Sequence, residues 1–185
     1  LKIYTDEAYH AYFSEKVAQQ VKEYYSIEDD FNDYVNPFFE QVNSFLENKP
    51  KEFRHLAKLA LVIISENTIL SDLSQAMKGI VYDPLRNMFK DHIVDETFHA
   101  KFFSQVLFII WEQIDLKKKL VLGQYLCEAI ELLSKPRIDC LYYAFEKIGF
   151  DELTVKNAIK ETYTIDFNKS RSQKRYKSSF KVLIF

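Results

Sequence analysis

Two short segments of this chain repeat each other. Thr5-Asp6-Glu7-Ala8-Tyr9-His10-Ala11-Tyr12-Phe13-Ser14 and Asp95-Glu96-Thr97-Phe98-His99-Ala100-Lys101-Phe102-Phe103-Ser104 both carry Asp-Glu-x-x-His-Ala followed by aromatic residues. On a helix, residues three and four apart lie one turn above another on one face, so each Glu-x-x-His points a carboxylate and an imidazole the same way. In the second copy His92, four residues before Glu96, extends that face. Two imidazoles and a carboxylate so arranged suit iron, manganese or zinc, provided that the histidines are neutral and the glutamate is ionised.

A single Glu-x-x-His is a common accident on a solvated helix face. Here the two copies, with His92, hold three of the chain's 4 histidines, and they sit among residues that favour burial. A buried carboxylate or imidazole needs a partner to offset its lost hydration, and a metal ion is the simplest partner. The remaining histidine, His55, has no motif around it and reads as a surface or partly buried residue.

With 185 residues, the chain is the length of one domain with a substantial core. Apolar residues make up 48% and there are only 3 Gly and 4 Pro, which favours long helices over turn-rich sheets. The net charge of −2 gives no field for drawing in nucleic acid or anionic lipid, so neither is expected as a partner. Cys127 and Cys140 lack metal-binding or redox spacing and read as core thiols in a reducing, cytoplasmic setting. No long charge-free apolar run and no secretory signal occurs, so no membrane association is expected. Because Leu1 leads almost at once into a motif-bearing helix, an N-terminal segment is expected upstream of it.

In order along the chain, helical periodicity predicts a helix from Ile3 to about Tyr25, through Ala8, Ala11, Tyr12, Val17, Ala18 and Val21. A connection and a short helical pattern from Tyr34 to Leu46, interrupted at Pro37, follow. The next helix spans about Pro50 to Lys78, with Pro50 suited to its first turn, and it is apolar all round at Leu59-Ala60-Leu61-Val62-Ile63-Ile64, as for an element enclosed by neighbours. Glu66 stands just beyond that run. By itself it would read as a core glutamate bonded to Ser65, Asn67 or a distant tyrosine; beside two Glu-x-x-His motifs it becomes a candidate ligand from a third helix. Gly79 and Asp83-Pro84 interrupt the pattern before a helix that carries His92, Glu96 and His99 onward through Trp111. Further helices are expected over Val121–Leu133, Arg137–Ile148 and Asp151–Tyr163, with Gly149 as a stop between the last two. The stretch from Asn168 to Lys181 is basic and reads as a solvated tail or an edge cover.

These spacings resemble the ferritin-like di-iron carboxylate proteins, in which two helices supply Glu-x-x-His and two others supply one glutamate each. The extra His92 narrows the resemblance to the para-aminobenzoate N-oxygenase family, also called arylamine N-oxygenases. That family carries Glu, Glu-x-x-His, Glu and His-x-x-x-Glu-x-x-His, and the last three pieces match Glu7 to His10, Glu66, and His92 to His99. The first glutamate has no counterpart before Glu7. The resemblance implies an all-α, ferritin-like helical bundle with a di-metal site in its core, here with additional C-terminal helices, as one domain over 1–185. It implies that Glu7 and Glu96 bridge two metals, that His10 binds the first, and that Glu66, His92 and His99 bind the second. Asp6 and Asp95 are candidates for holding ligands in place, or simply for charges on a solvated helix.

The implied cofactor is a pair of iron ions (Fe2+/Fe3+), with manganese as the other metal that suits the donors. The implied reaction is oxidation of an organic substrate with O2, specifically N-oxygenation of an aromatic amine, with an external electron donor; a homodimer is compatible with it. The alternatives are another ferritin-like di-iron enzyme, of hydroxylase or desaturase type, and a non-enzymatic iron-handling protein. A helical interaction protein with accidental motifs is the third.

Overall fold

The computed structural model describes residues 2–28, 36–167, 170 and 173. Among these there are seven α-helices, α1 (Lys2–Tyr24), α2 (Pro37–Glu47), α3 (Arg54–Ala76), α4 (Asp83–Gln113), α5 (Leu116–Ser134), α6 (Ile138–Lys147) and α7 (Glu152–Thr162), and no strand. The all-α expectation holds. The chain divides into two compact units, one containing residues 1–40 with 136–170 and the other containing 41–135. No helix among the described residues is long and apolar enough to cross a membrane.

The unit containing 41–135 is organised around α3. Leu56, Ala57, Ala60, Leu61, Ile63 and Ile64 of this helix are buried, and they form one core cluster with Leu107 of α4 and Leu122, Tyr125, Leu126, Ala129 and Ile130 of α5. The pairs recur every three to four residues, so α3 is lined on a broad face and packs directly against both α4 and α5. Ala57 and Ala60 are fully buried, and their small side chains allow the helix backbones to approach closely. One charged pair joins the connection before α3 to α5: Lys49 donates to Glu128, with its ammonium 4.6 Å from the centre of the Phe45 ring and 4.9 Å from that of Tyr125.

Several boundaries differ from the periodicity-based expectation, each for a local reason. Pro37 begins α2 rather than interrupting it, and the Asn36 side chain accepts the Phe38 amide at 3.1 Å as a cap; Tyr34 and Val35 lie outside the described residues. The expected 50–78 helix is a 3-10 turn (Lys51–Phe53), then α3, then a second 3-10 turn (Met77–Gly79). Pro84 occupies the first turn of α4, where its missing N–H costs nothing. Helix α5 starts at Leu116 rather than Val121, because the Asp115 side chain accepts the Lys118 amide at 2.8 Å and nucleates the turn through Lys117-Lys118-Lys119.

In the other unit, α6 packs on α7, and Gly149 turns the chain between them at φ +91°, a conformation that disfavours any side chain. Asp151 caps α7 by accepting the Thr154 amide at 2.9 Å. The Arg137 guanidinium lies 4.3 Å from the centre of the Phe38 ring. Helix α1 buries one residue, His10. Its apolar positions Ala8, Ala11, Tyr12, Ala18 and Val21, which carry the helical periodicity, are exposed, and Val17 is half-buried. Of the basic stretch 168–181, only Ser170 and Gln173 are among the described residues.

Candidate metal centre

The geometry of the second motif follows from α4 being one unbroken helix of 31 residues. His92, Glu96 and His99 fall on one face of it, and that face is turned inward: Glu96 is 1% and His99 0% exposed, with Ala100 and Leu107 continuing the buried stripe. Helix α3 supplies Glu66 two residues beyond Ile64, the last of its core-buried positions, so the packing that fixes α3 on α4 also aims this carboxylate. The Ser65 hydroxyl donates to the Val62 carbonyl and the Asn67 amide to the Ile63 carbonyl. Both of these side-chain bonds go to backbone carbonyls one turn back on α3.

Ligand-type atoms of Glu66, Glu96 and His99 lie within 4.8 Å of one another. His99 Nδ1 stands 3.7 Å from Glu66 Oε2 and 3.8 Å from Glu96 Oε2. Both separations are too long for a hydrogen bond. Two donors that each stand about 2.1 Å from one ion can be up to about 4.2 Å apart, so these spacings fit a shared cation. The other oxygen of Glu96 faces elsewhere, since Oε1 is 3.0 Å from His92 Nε2. One carboxylate thus turns its two oxygens to two different imidazoles. The donor set, hard carboxylate oxygens with imidazole nitrogens, suits iron or manganese.

Burial by itself would push the Glu96 carboxyl up, but hydrogen bonding with His92 and then Glu66, together with the charges of His92 and His99, outweighs it. The net effect holds Glu96 below the ordinary carboxylate range, which keeps it ionised and ready to ligate.

The first motif lies on α1. His10 is 6% exposed and its Nδ1 is 3.7 Å from Glu7 Oε1, with the Glu7 side chain half exposed. The two are therefore on one helix face, as the i, i+3 spacing predicts. Asp6 pairs with Lys2 at 2.6 Å, and Asp95 is partly buried. His55 is exposed. Among the described residues, no Cys or Asp belongs to a group of three or more donors that converge closely enough to share an ion.

A model of the p-aminobenzoate N-oxygenase AurF family matches residues 1–183. The chain belongs to that family. The AurF family has a ferritin-like helical di-iron fold, in agreement with the all-helical structure and with the resemblance carried by the His92-to-His99 spacing. No curated protein and no solved structure matches the chain. As an AurF-family member, it is placed among N-oxygenases by family, and the carboxylate and imidazole groups on α3 and α4 are of the kind that a di-iron protein requires.

Proposed function

We propose that this protein is a di-iron N-oxygenase that uses O2 and an external electron donor to oxidise the nitrogen of an aromatic amine. The observation that carries the reading is the convergence of Glu66, Glu96 and His99 in the buried interior of an AurF-family chain. The proposed ligands are Glu7, His10, Glu66, His92, Glu96 and His99, with Glu7 and Glu96 as bridges. Bound as a pair, the irons would supply O2 activation and oxygen transfer to the amine nitrogen.

The chain's own residues define the rest. Glu96 offers one oxygen on the Glu66/His99 side and the other on the His92 side. The Nδ1 atom of His99 must be unprotonated to ligate, because it is the atom that faces both carboxylates, and any proton that His92 Nε2 holds on Glu96 Oε1 must leave when His92 ligates. Full burial of Glu96 and His99 keeps bulk water off these two side chains and strengthens the electrostatic interactions between them. Glu66 is held from α3 by core packing rather than by a loop, which keeps the donor spacing narrow.

The test is iron analysis and turnover together. The reduced protein reconstituted anaerobically with ferrous salt should hold close to two irons per chain, and an arylamine such as p-aminobenzoate, given O2 and reductant, should yield its hydroxylamine or more oxidised products. Iron content near zero would reject the reading, and uptake of many irons per chain under aerobic loading would favour iron handling instead.

A further inference from the structure

We propose that Phe98 is a positioning residue for His99: its ring, set edge to face against the imidazole, fixes the plane in which His99 presents Nδ1 to Glu66 and Glu96. This rests on the di-iron reading above and deepens it, because it concerns a side chain that offers no donor. The whole arrangement lies within α3 and α4, both in the unit containing 41–135.

The need for such a residue follows from the imidazole itself. The torsion that turns a histidine ring is soft and broadly populated, so placing the backbone on a helix does not set the ring plane. Turning the ring over would exchange Nδ1 for a carbon and take the donor away from both carboxylates, whose oxygens stand 3.7 and 3.8 Å from it. The Phe98 and His99 ring centroids are 6.4 Å apart with their planes at 68°, the T-shaped geometry that aromatic pairs favour.

Neither helix geometry nor the core accounts for that contact. Consecutive helix residues point about 100° apart and do not ordinarily face each other, so Phe98 has to lean toward His99 for the two rings to meet. Phe98 stands outside the apolar core cluster of its unit and is 49% exposed, whereas His99 is fully buried. A large ring left half in water gains little from burial, and the neighbour it touches gives the better reason for its place. The sequence repeat adds an independent observation. Tyr9 stands directly before His10 as Phe98 stands before His99, and Phe13 and Phe102 follow four residues later in the two copies. On α1, Tyr9 is held by stacking on Phe13, with ring centroids 5.0 Å apart and planes at 29°. The aromatic residue before the histidine is thus as much a part of the repeat as Glu-x-x-His.

The experiment compares Phe98→Leu, which keeps apolar bulk but removes the ring, with Phe98→Tyr, which restores a ring, in the full chain. In an anaerobic Co2+ titration followed by ligand-field absorption, Phe98→Leu should bind about three- to tenfold more weakly than wild type and with altered bands. Phe98→Tyr should stay within about twofold of wild type. In the metal-free protein, the His99 ring-proton NMR signals should move in Phe98→Leu and keep near wild-type positions in Phe98→Tyr. Phe102→Leu removes an exposed ring one turn further on, whose ring contact is with Phe103 at 5.2 Å, and should match wild type in both readouts. Far-UV circular dichroism and the urea midpoint should be unchanged in all three variants. The proposal is overturned if Phe98→Leu keeps the wild-type affinity and bands, if Phe98→Tyr fails to restore them, if Phe102→Leu weakens binding equally, or if the lost affinity comes with a lowered urea midpoint. A wild type that binds no Co2+ would instead remove the di-iron reading, and the role of Phe98 with it.

Discussion

His92 Nε2 stands 3.0 Å from Glu96 Oε1, one turn away on α4, with the His92 side chain 12% and the Glu96 side chain 2% exposed. In the metal-free protein this contact helps to keep a nearly inaccessible carboxylate ionised. The sign of its effect on stability follows from linkage: a glutamate whose folded pKa is depressed contributes stability above its unfolded pKa, about 4.3, and loses it as pH falls through the lower folded value. His92→Phe removes the leading influence that lowers Glu96. The metal-free variant should therefore be less stable than wild type at neutral pH and lose less of its urea midpoint on acidification below about pH 4.3, giving a shallower acid limb. Superimposable acid limbs would show that the contact does not bear on Glu96 ionisation.

The same substitution discriminates a ligand from a bystander when metal is present. His92→Phe should weaken the binding of at least one iron by about a hundredfold while leaving far-UV dichroism unchanged, and Glu96→Ala should lower the load further because the proposed ligand set uses that carboxylate for both ions. His55→Ala, at an exposed position with no neighbouring motif, should leave iron content at the wild-type level. Iron analysis of the three variants side by side checks this, and equal loads in all of them would count against the ligand set.

Lys49 and Glu128 form a partly buried ion pair with side chains 13% and 31% exposed, under the Phe45 and Tyr125 rings. Removing one partner leaves a desolvated charge, so Glu128→Ala should cost about 1.5–3 kcal/mol. Replacing both, as Lys49→Met/Glu128→Leu, should be closer to neutral, because neither charge then remains unpaired. Chemical denaturation of the single and double variants measures the difference, and equal losses in both would show that packing rather than charge dominates there.

Ile64 is 1% exposed in the α3 core, two residues before Glu66. Ile64→Ala should cost about 2–5 kcal/mol by the cavity that it leaves. It should also loosen Co2+ binding although it removes no donor, since α3 then holds Glu66 less firmly. Wild-type metal affinity in a variant destabilised to that extent would separate core packing from site geometry.

Much of this protein is legible from the chain alone because helical order and ligand spacing are local properties. The i, i+3 and i, i+4 intervals put Glu7 with His10, and His92 with Glu96 and His99, on common faces whatever the surroundings, and the apolar run before Glu66 announced a buried helix. Gly149 marked a stop for the same reason, since its φ of +91° is a local demand. The start of α5 was also written locally, in the Asp115 cap, but apolar periodicity passes over a Lys-Lys-Lys turn and so placed the start too late.

What only the tertiary structure decided concerns pairs that sequence distance conceals. Glu66 has no motif of its own in the chain, and it is the packing of α3 on α4 that brings its carboxylate to 3.7 Å from His99. Lys49 and Glu128 are 79 residues apart and carry no motif. The apolar residues of α1 show the converse: their periodicity is real, yet most of them are exposed, because periodicity records which residues share a helix face, and burial depends on whether another surface covers that face.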